Sequence, residues 1–135
     1  LASLAFTRVA SIAELEQKLA ASNQPVMLDF YADWCVACKE LEQLTFSDPK
    51  VQQQLKNTTL LQVDVTANSD EDKALLKKFG LFGPPGIAFF NGQGKEMTTL
   101  KTVGFQDAER FSATLARRDS CIITPQNNQD STTQC

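Results

Sequence analysis

Two cysteines, Cys35 and Cys38, lie three positions apart in the stretch "FYADWCVACKELE", after an apolar run and at the head of an expected helix. Thiols at that spacing suit three kinds of chemistry: an inert crosslink, half of a tetrahedral metal site, or reversible thiol–disulfide exchange. The helix start favours the last. Unsatisfied backbone N–H groups and the positive end of the helix dipole promote a thiolate on the first cysteine, and the second, about one turn along, lies within bonding reach. On this reading Cys35 attacks and Cys38 resolves. A zinc half-site needs two further ligands, and the 135 residues contain no histidine and no second close cysteine pair. The other two cysteines, Cys121 and Cys135, lie far downstream without that helix context. A closed tail loop, an interchain pair and free thiols all stay open for them, and no catalytic role is assigned.

A chain of this length buries a core without crosslinks, so the close pair needs a reason other than stapling. The composition is 42% hydrophobic and 21% charged with a net charge of -3, ordinary for a globular domain and not basic enough for nucleic acid. No apolar run approaches the roughly 20 residues that cross a bilayer. Even "PVMLDFYA" is interrupted by Asp29. A soluble monomer that does not itself insert into a membrane is expected, without metal or bound cofactor. Lacking both an initiator methionine and a basic-then-apolar leader, the sequence reads as an excised domain or a processed product.

The elements that must position the cysteines follow from periodicity and caps. "LAFTRV", residues 4–9, alternates loosely and predicts a strand. "SIAELEQKLAAS" predicts a helix, with Ser11 as N-cap, Glu14 closing a capping box, and Ile12, Leu15 and Leu19 on one face. "PVMLDFYA" is nearly all apolar, as a central strand covered on both sides should be. A helix from Cys35 past Leu44 follows, then a second opened by Ser47, Asp48 and Pro49. "TLLQVDV" predicts a strand, and "SDEDKALLKKFG" a helix with an acidic start, a basic end and Gly80 as its stop. "GIAFFNGQGKEMTTLKTVG" reads as two strands about an "NGQG" turn, with Phe89 and Phe90 in the sheet. "DAERFSATLARR" predicts a closing helix with Phe111 and Leu115 on its buried side. Alternating βα units imply a mostly parallel α/β sheet with antiparallel edge strands and helices on both faces, over residues 1–118. Residues 119–135, "DSCIITPQNNQDSTTQC", have little to bury and read as a flexible tail.

With "DFYADWCVACK", an Asp six residues before the first cysteine, Trp34 directly before it, and "GPPGIAFF" downstream, the chain resembles the thioredoxin superfamily over roughly residues 4–117. This implies a three-layer fold with a central mixed sheet. More narrowly, "YADWCVACKELE", "TFSDPKVQ", "DVTAN" and "GFQDAERF" resemble the C-terminal periplasmic domains of DsbD-type thiol:disulfide interchange proteins. That resemblance implies a protein-disulfide reductase of the periplasm, a domain of an inner-membrane protein. It would take electrons from its own transmembrane domain and pass them to its own N-terminal periplasmic domain.

The site residues divide by origin. Asp29, inside a predicted buried strand, is either a strand-end carboxylate reaching water or, by the resemblance, the buried acid beneath the cysteines, with a raised pKa that suits a proton carrier. Glu42 lies four residues after Cys38 and seven after Cys35, on one helical face with both. It is either a solvated surface residue or a second carboxylate that holds the thiol pKa values up. By the resemblance Pro85 is a cis-proline opposite the cysteines; the alternative is a trans turn proline. Pro84 departs from the family pattern because it lacks an N–H with which to pair an extended partner segment, and Gly86 replaces a β-branched residue. Trp34 and Phe82 are expected to offer apolar contact to a partner, with core packing as the alternative for Trp34. A free-standing thioredoxin or a disulfide oxidase of the same fold is the competing enzyme reading. The Val36-Ala37 dipeptide, without a histidine to stabilise a thiolate, disfavours the oxidase. A redox-inert binding module is the competing non-enzyme reading.

Overall fold

The structure, a computed structural model, describes residues 3–123. A five-stranded sheet in the order β1-β3-β2-β4-β5 runs through the middle. Strands β1 (Thr7–Arg8), β3 (Thr59–Asp64) and β2 (Val26–Tyr31) are parallel, and β4 (Gly86–Phe90) and β5 (Thr102–Val103) continue the sheet antiparallel. Every residue of β2 and of β4 is buried, which is why both read as unbroken apolar runs rather than alternating ones.

The pleat divides the core in two. Val26, Leu28 and Phe30 of β2 face a cluster with Leu15, Val63, Leu75, Phe79, Leu81, Cys35 and Cys38. Met27 faces the other side with Leu41, Phe46, Phe89, Phe111 and Leu115. Helices α1 (Ile12–Ala21) and α4 (Asp70–Lys78) supply apolar residues to the first cluster; α3 (Pro49–Gln54) and α5 (Ala108–Ile123) supply them to the second. Edge-to-face ring pairs reinforce each side: Phe30 with Phe79 and Phe79 with Phe90 on one, Phe46 with Phe111 on the other. The layers and the mixed sheet are those of the expected three-layer fold. No helix among the described residues is long and apolar enough to cross a membrane.

Five local expectations are corrected. The first strand is two residues, Thr7–Arg8, because only there does the chain pair with β3. Ser11 caps α1 by accepting from the Glu14 N–H, but the Glu14 carboxylate accepts from the Ala10 N–H, one residue ahead of a true capping box. The cysteine helix is not uniform: α2 (Val36–Glu40) passes into a widened π turn over Leu41–Thr45, closed by the Phe46 N–H on the Leu41 carbonyl. The second hairpin strand is interrupted by a 3₁₀ turn at Thr98–Leu100, leaving one bridge at Glu96 and a short β5.

The last correction concerns the closing helix. Helix α5 continues to Ile123 through residues assigned to a tail. Arg118 is 3% exposed, and its guanidinium donates to Thr58 Oγ1, the Gln54 carbonyl and Asp119 Oδ1, which anchors the helix just before its extension. Cys121 rides on this extension against the second core cluster. The rest of the expected tail, including Cys135, lies outside the described residues.

Candidate active site

Cys35 caps α2 from an extended backbone conformation, its Sγ accepting from the Cys38 N–H at 3.1 Å. The two are joined as a disulfide with Cα atoms 5.2 Å apart. The local sequence explains the placement. Strand β2 ends at Tyr31; residues 32–34 turn, held by the Cys35 N–H on the Ala32 carbonyl and the Asp33 N–H on Thr66 Oγ1, and α2 begins at once. Both cysteines belong to the first core cluster, 6% and 4% exposed. The flanking Trp34 and Val36 are 60% and 74% exposed, so apolar surface frames a nearly covered sulfur pair.

Asp29 is 4% exposed, which excludes a strand-end carboxylate in water. Burial, opposed by a hydrogen bond from Gln62 and assisted by the negative charge of Glu42, pushes its pKa up from 3.8 to about 7. It stands next in sequence to Phe30, whose carbonyl lies 3.8 Å from Cys38 Sγ. Glu42 sits exposed in the widened turn, where the 3.6-residue repeat used to align it with both cysteines no longer holds. It borders a cavity of about 280 Å³ together with Arg8, Phe46 and Gln62.

The Pro84-Pro85 peptide bond is cis, with Pro85 buried and Pro84 half-buried. The Pro85 carbonyl accepts from the Gly104 N–H, which ties the loop to the end of β5. Phe82, three residues before Pro85, is fully exposed. The Trp34 indole N–H donates to the Thr66 carbonyl at 3.1 Å, which holds the ring at the surface rather than in the core.

A thioredoxin-like domain family model matches residues 13–118. The C-terminal domain of Neisseria meningitidis DsbD superposes in its oxidised form with a TM-score of 0.65 at 38% identity, covering 79% of this chain and 95% of that one. Its reduced form gives 0.67 at 36% identity, covering 82% and 98%. The chain belongs to the thioredoxin-like family of DsbD C-terminal domains. Klebsiella pneumoniae DsbD is 63% identical over 115 residues, 84% of this chain but 19% of that protein. The chain thus spans about a fifth of the length of the curated relatives it matches.

In this chain of DsbD C-terminal type the joined Cys35-Cys38 pair stands at the head of α2, the arrangement that thiol–disulfide exchange requires. The departure at Gly86 has a packing cause. A Cβ on Gly86 would stand 2.6 and 2.8 Å from the two terminal carbons of Leu81, so Leu81 already fills the space of a side chain there. Sequence reasoning missed Leu81, and it missed Gln62 and Arg8 beside Asp29. The signal for Gln62 was present: it interrupts "TLLQVDV" as Asp29 interrupts "PVMLDFYA", and two polar residues at one level of adjacent buried strands must answer one another.

Proposed function

We propose that the domain relays electrons as a protein-disulfide reductase of the periplasm, between the transmembrane and N-terminal periplasmic domains of a DsbD-type inner-membrane protein. In the reduced chain the Cys35 thiolate attacks one sulfur of the partner's disulfide. That bond breaks, a mixed disulfide forms, and the partner's other sulfur leaves as a thiolate and takes a proton. Cys38 then gives its proton to the Asp29 carboxylate and attacks Cys35. The mixed disulfide breaks, the partner's second sulfur leaves reduced, and the Cys35-Cys38 disulfide remains. Two electrons have passed to the partner; two from a dithiol of the transmembrane domain restore the pair.

The observation that carries this reading is the Cys35-Cys38 disulfide at the start of α2 in a chain of DsbD type. The side-chain roles are part of the proposal. Asp29 accepts the resolving thiol's proton, since a carboxyl group with a pKa of about 7 both takes and releases one near neutrality. Glu42 adds negative charge that raises the Asp29 pKa and holds the thiolate in check until a partner docks. Trp34 and Phe82 supply exposed apolar contact, and Pro84 and Pro85 shape the loop along which the partner lies, with one fewer backbone donor because Pro84 has no N–H.

The reduction potential of the Cys35-Cys38 couple tests the direction of flow. A reductase relay lies nearer the value of thioredoxin, about -270 mV, than that of strong oxidases, about -120 mV. A potential at the oxidising end overturns the assignment.

A further inference from the structure

Asp29 is held through a row of side chains that crosses three strands. Arg8 of β1 pairs in register with Gln62 of β3, and Gln62 with Asp29 of β2. Arg8 Nε donates to Gln62 Oε1 at 2.7 Å, and Gln62 Nε2 donates to Asp29 Oδ2 at 2.9 Å. Arg8 is fixed in turn by Asp64, whose Oδ2 accepts from its Nη1 at 2.8 Å, and by the face of Tyr31, 5.6 Å away. A guanidinium has only donors to offer. The end of the Gln62 amide that meets it must therefore be the oxygen, and the NH2 is left to face the carboxylate. An amide free to turn would present its oxygen to Asp29 in part of the population and repel the ionised form.

We propose that Arg8 and Gln62 are a positioning pair for this chain's thiol–disulfide exchange, with Arg8 locking the Gln62 amide so that Asp29 is held by a donor while it takes up and releases its proton. The inference rests on the reading of Asp29 as the acid of the Cys35-Cys38 pair. Burial and Glu42, on the widened turn after α2, favour the protonated acid; the amide NH2 and the Arg8 charge favour the ionised one. The other charged groups beside this row are Asp64, neutralised against Arg8, and Lys39, which like Arg8 lies over the Tyr31 ring. From β4 the residue in register with Asp29 is Ile87, which carries no charge. Gln62 and Arg8 line the 280 Å³ cavity and Asp29 does not, so the amide is also the layer between the acid and that space.

The test is the titration of the Asp29 carboxyl by carbon NMR in the oxidised chain, for the parent, Gln62→Leu, Arg8→Met and the double variant. Loss of the amide donor raises the midpoint by roughly one pH unit. Arg8→Met alone raises it by about half as much, and in the Gln62→Leu background by clearly less, because there only the direct effect of its charge is lost and not the locking of the amide. The pH profile of the exchange rate moves with the midpoint. Unchanged midpoints in folded variants overturn the positioning pair, as does an Arg8→Met shift of equal size in both backgrounds, the mark of a direct field effect. Where Gln62→Leu does not fold, Gln62→Met, which keeps the length of the side chain and removes the amide, takes its place in the comparison, and Arg8→Met is made on the exposed edge strand. A parent chain that exchanges with no protein disulfide at any pH overturns the underlying redox reading instead.

Discussion

Leu81 occupies the volume that a side chain on Gly86 would need, its Cδ1 2.6 Å from the position of the missing Cβ. The two residues form a size exchange beside the cis Pro84-Pro85 bond: a large side chain in the loop, none at the start of β4. Both are buried, so Leu81 has little room to yield.

Gly86→Val is therefore expected to destabilise the domain by about 1–3 kcal/mol through overpacking. Leu81→Ala is expected to cost a similar amount as a cavity. The double variant should lose less than the sum, and denaturant unfolding of all four proteins measures the coupling. Strict additivity would show that the two side chains do not compete for one space.

The buried Asp29 makes stability depend on pH in an unusual direction. Its folded pKa lies above its unfolded one, so between pH 4 and 7 the native state holds a proton that the unfolded chain has released. Stability from this group is greatest below about pH 4, falls as pH rises, and levels off above about 7. Lifting the pKa from 3.8 to about 7 corresponds to roughly 4 kcal/mol at about 1.4 kcal/mol per pH unit. Asp29→Asn should remove that slope, so the difference between variant and parent grows in the variant's favour from pH 4 to pH 7. A difference that stays constant would mean the carboxyl titrates normally.

Phe82 is fully exposed and takes no part in core packing, and in the proposed relay it offers contact area to the partner. Phe82→Ala is expected to leave stability within about 0.5 kcal/mol while slowing exchange with a protein disulfide by about tenfold, the equivalent of 1.4 kcal/mol of lost docking. Exchange with a small disulfide such as oxidised glutathione should not change. Equal slowing with both would place Phe82 in the chemistry instead of the docking.

Arg118 anchors the last turns of α5. Its buried guanidinium joins α5 to Thr58 and to the last carbonyl of α3, so Arg118→Ala strands two acceptors and is expected to cost about 3 kcal/mol. Thermal unfolding checks this, and a loss below about 0.5 kcal/mol would show that the Arg118 hydrogen bonds do not anchor the end of α5.

The contrast between Arg118 and the cysteine helix shows what was legible in the residues. Apolar continuity in β2 and β4, the capped starts of α1, α3 and α4, and the Cys-x-x-Cys at a helix head are local patterns, and each appears in the structure within a residue or two. The end of α5 was not legible because a drop in hydrophobic content says nothing of an arginine buried by hydrogen bonds. The turn at Leu41–Thr45 was hidden because an extra residue in a helical turn leaves the apolar spacing almost unchanged. Around the site, Cys35, Cys38 and Asp29 announce themselves by type and setting. Gln62 and Arg8 become partners only through strand register, which a single sequence leaves implicit.

The most direct measurement is trapping. Cys38→Ser, presented with an oxidised N-terminal periplasmic domain of DsbD type, should accumulate a mixed disulfide through Cys35 that dithiothreitol releases, whereas Cys35→Ser should accumulate none. A folded Cys38→Ser protein that forms no covalent adduct, or a Cys35→Ser protein that forms one equally well through Cys38, would contradict the account.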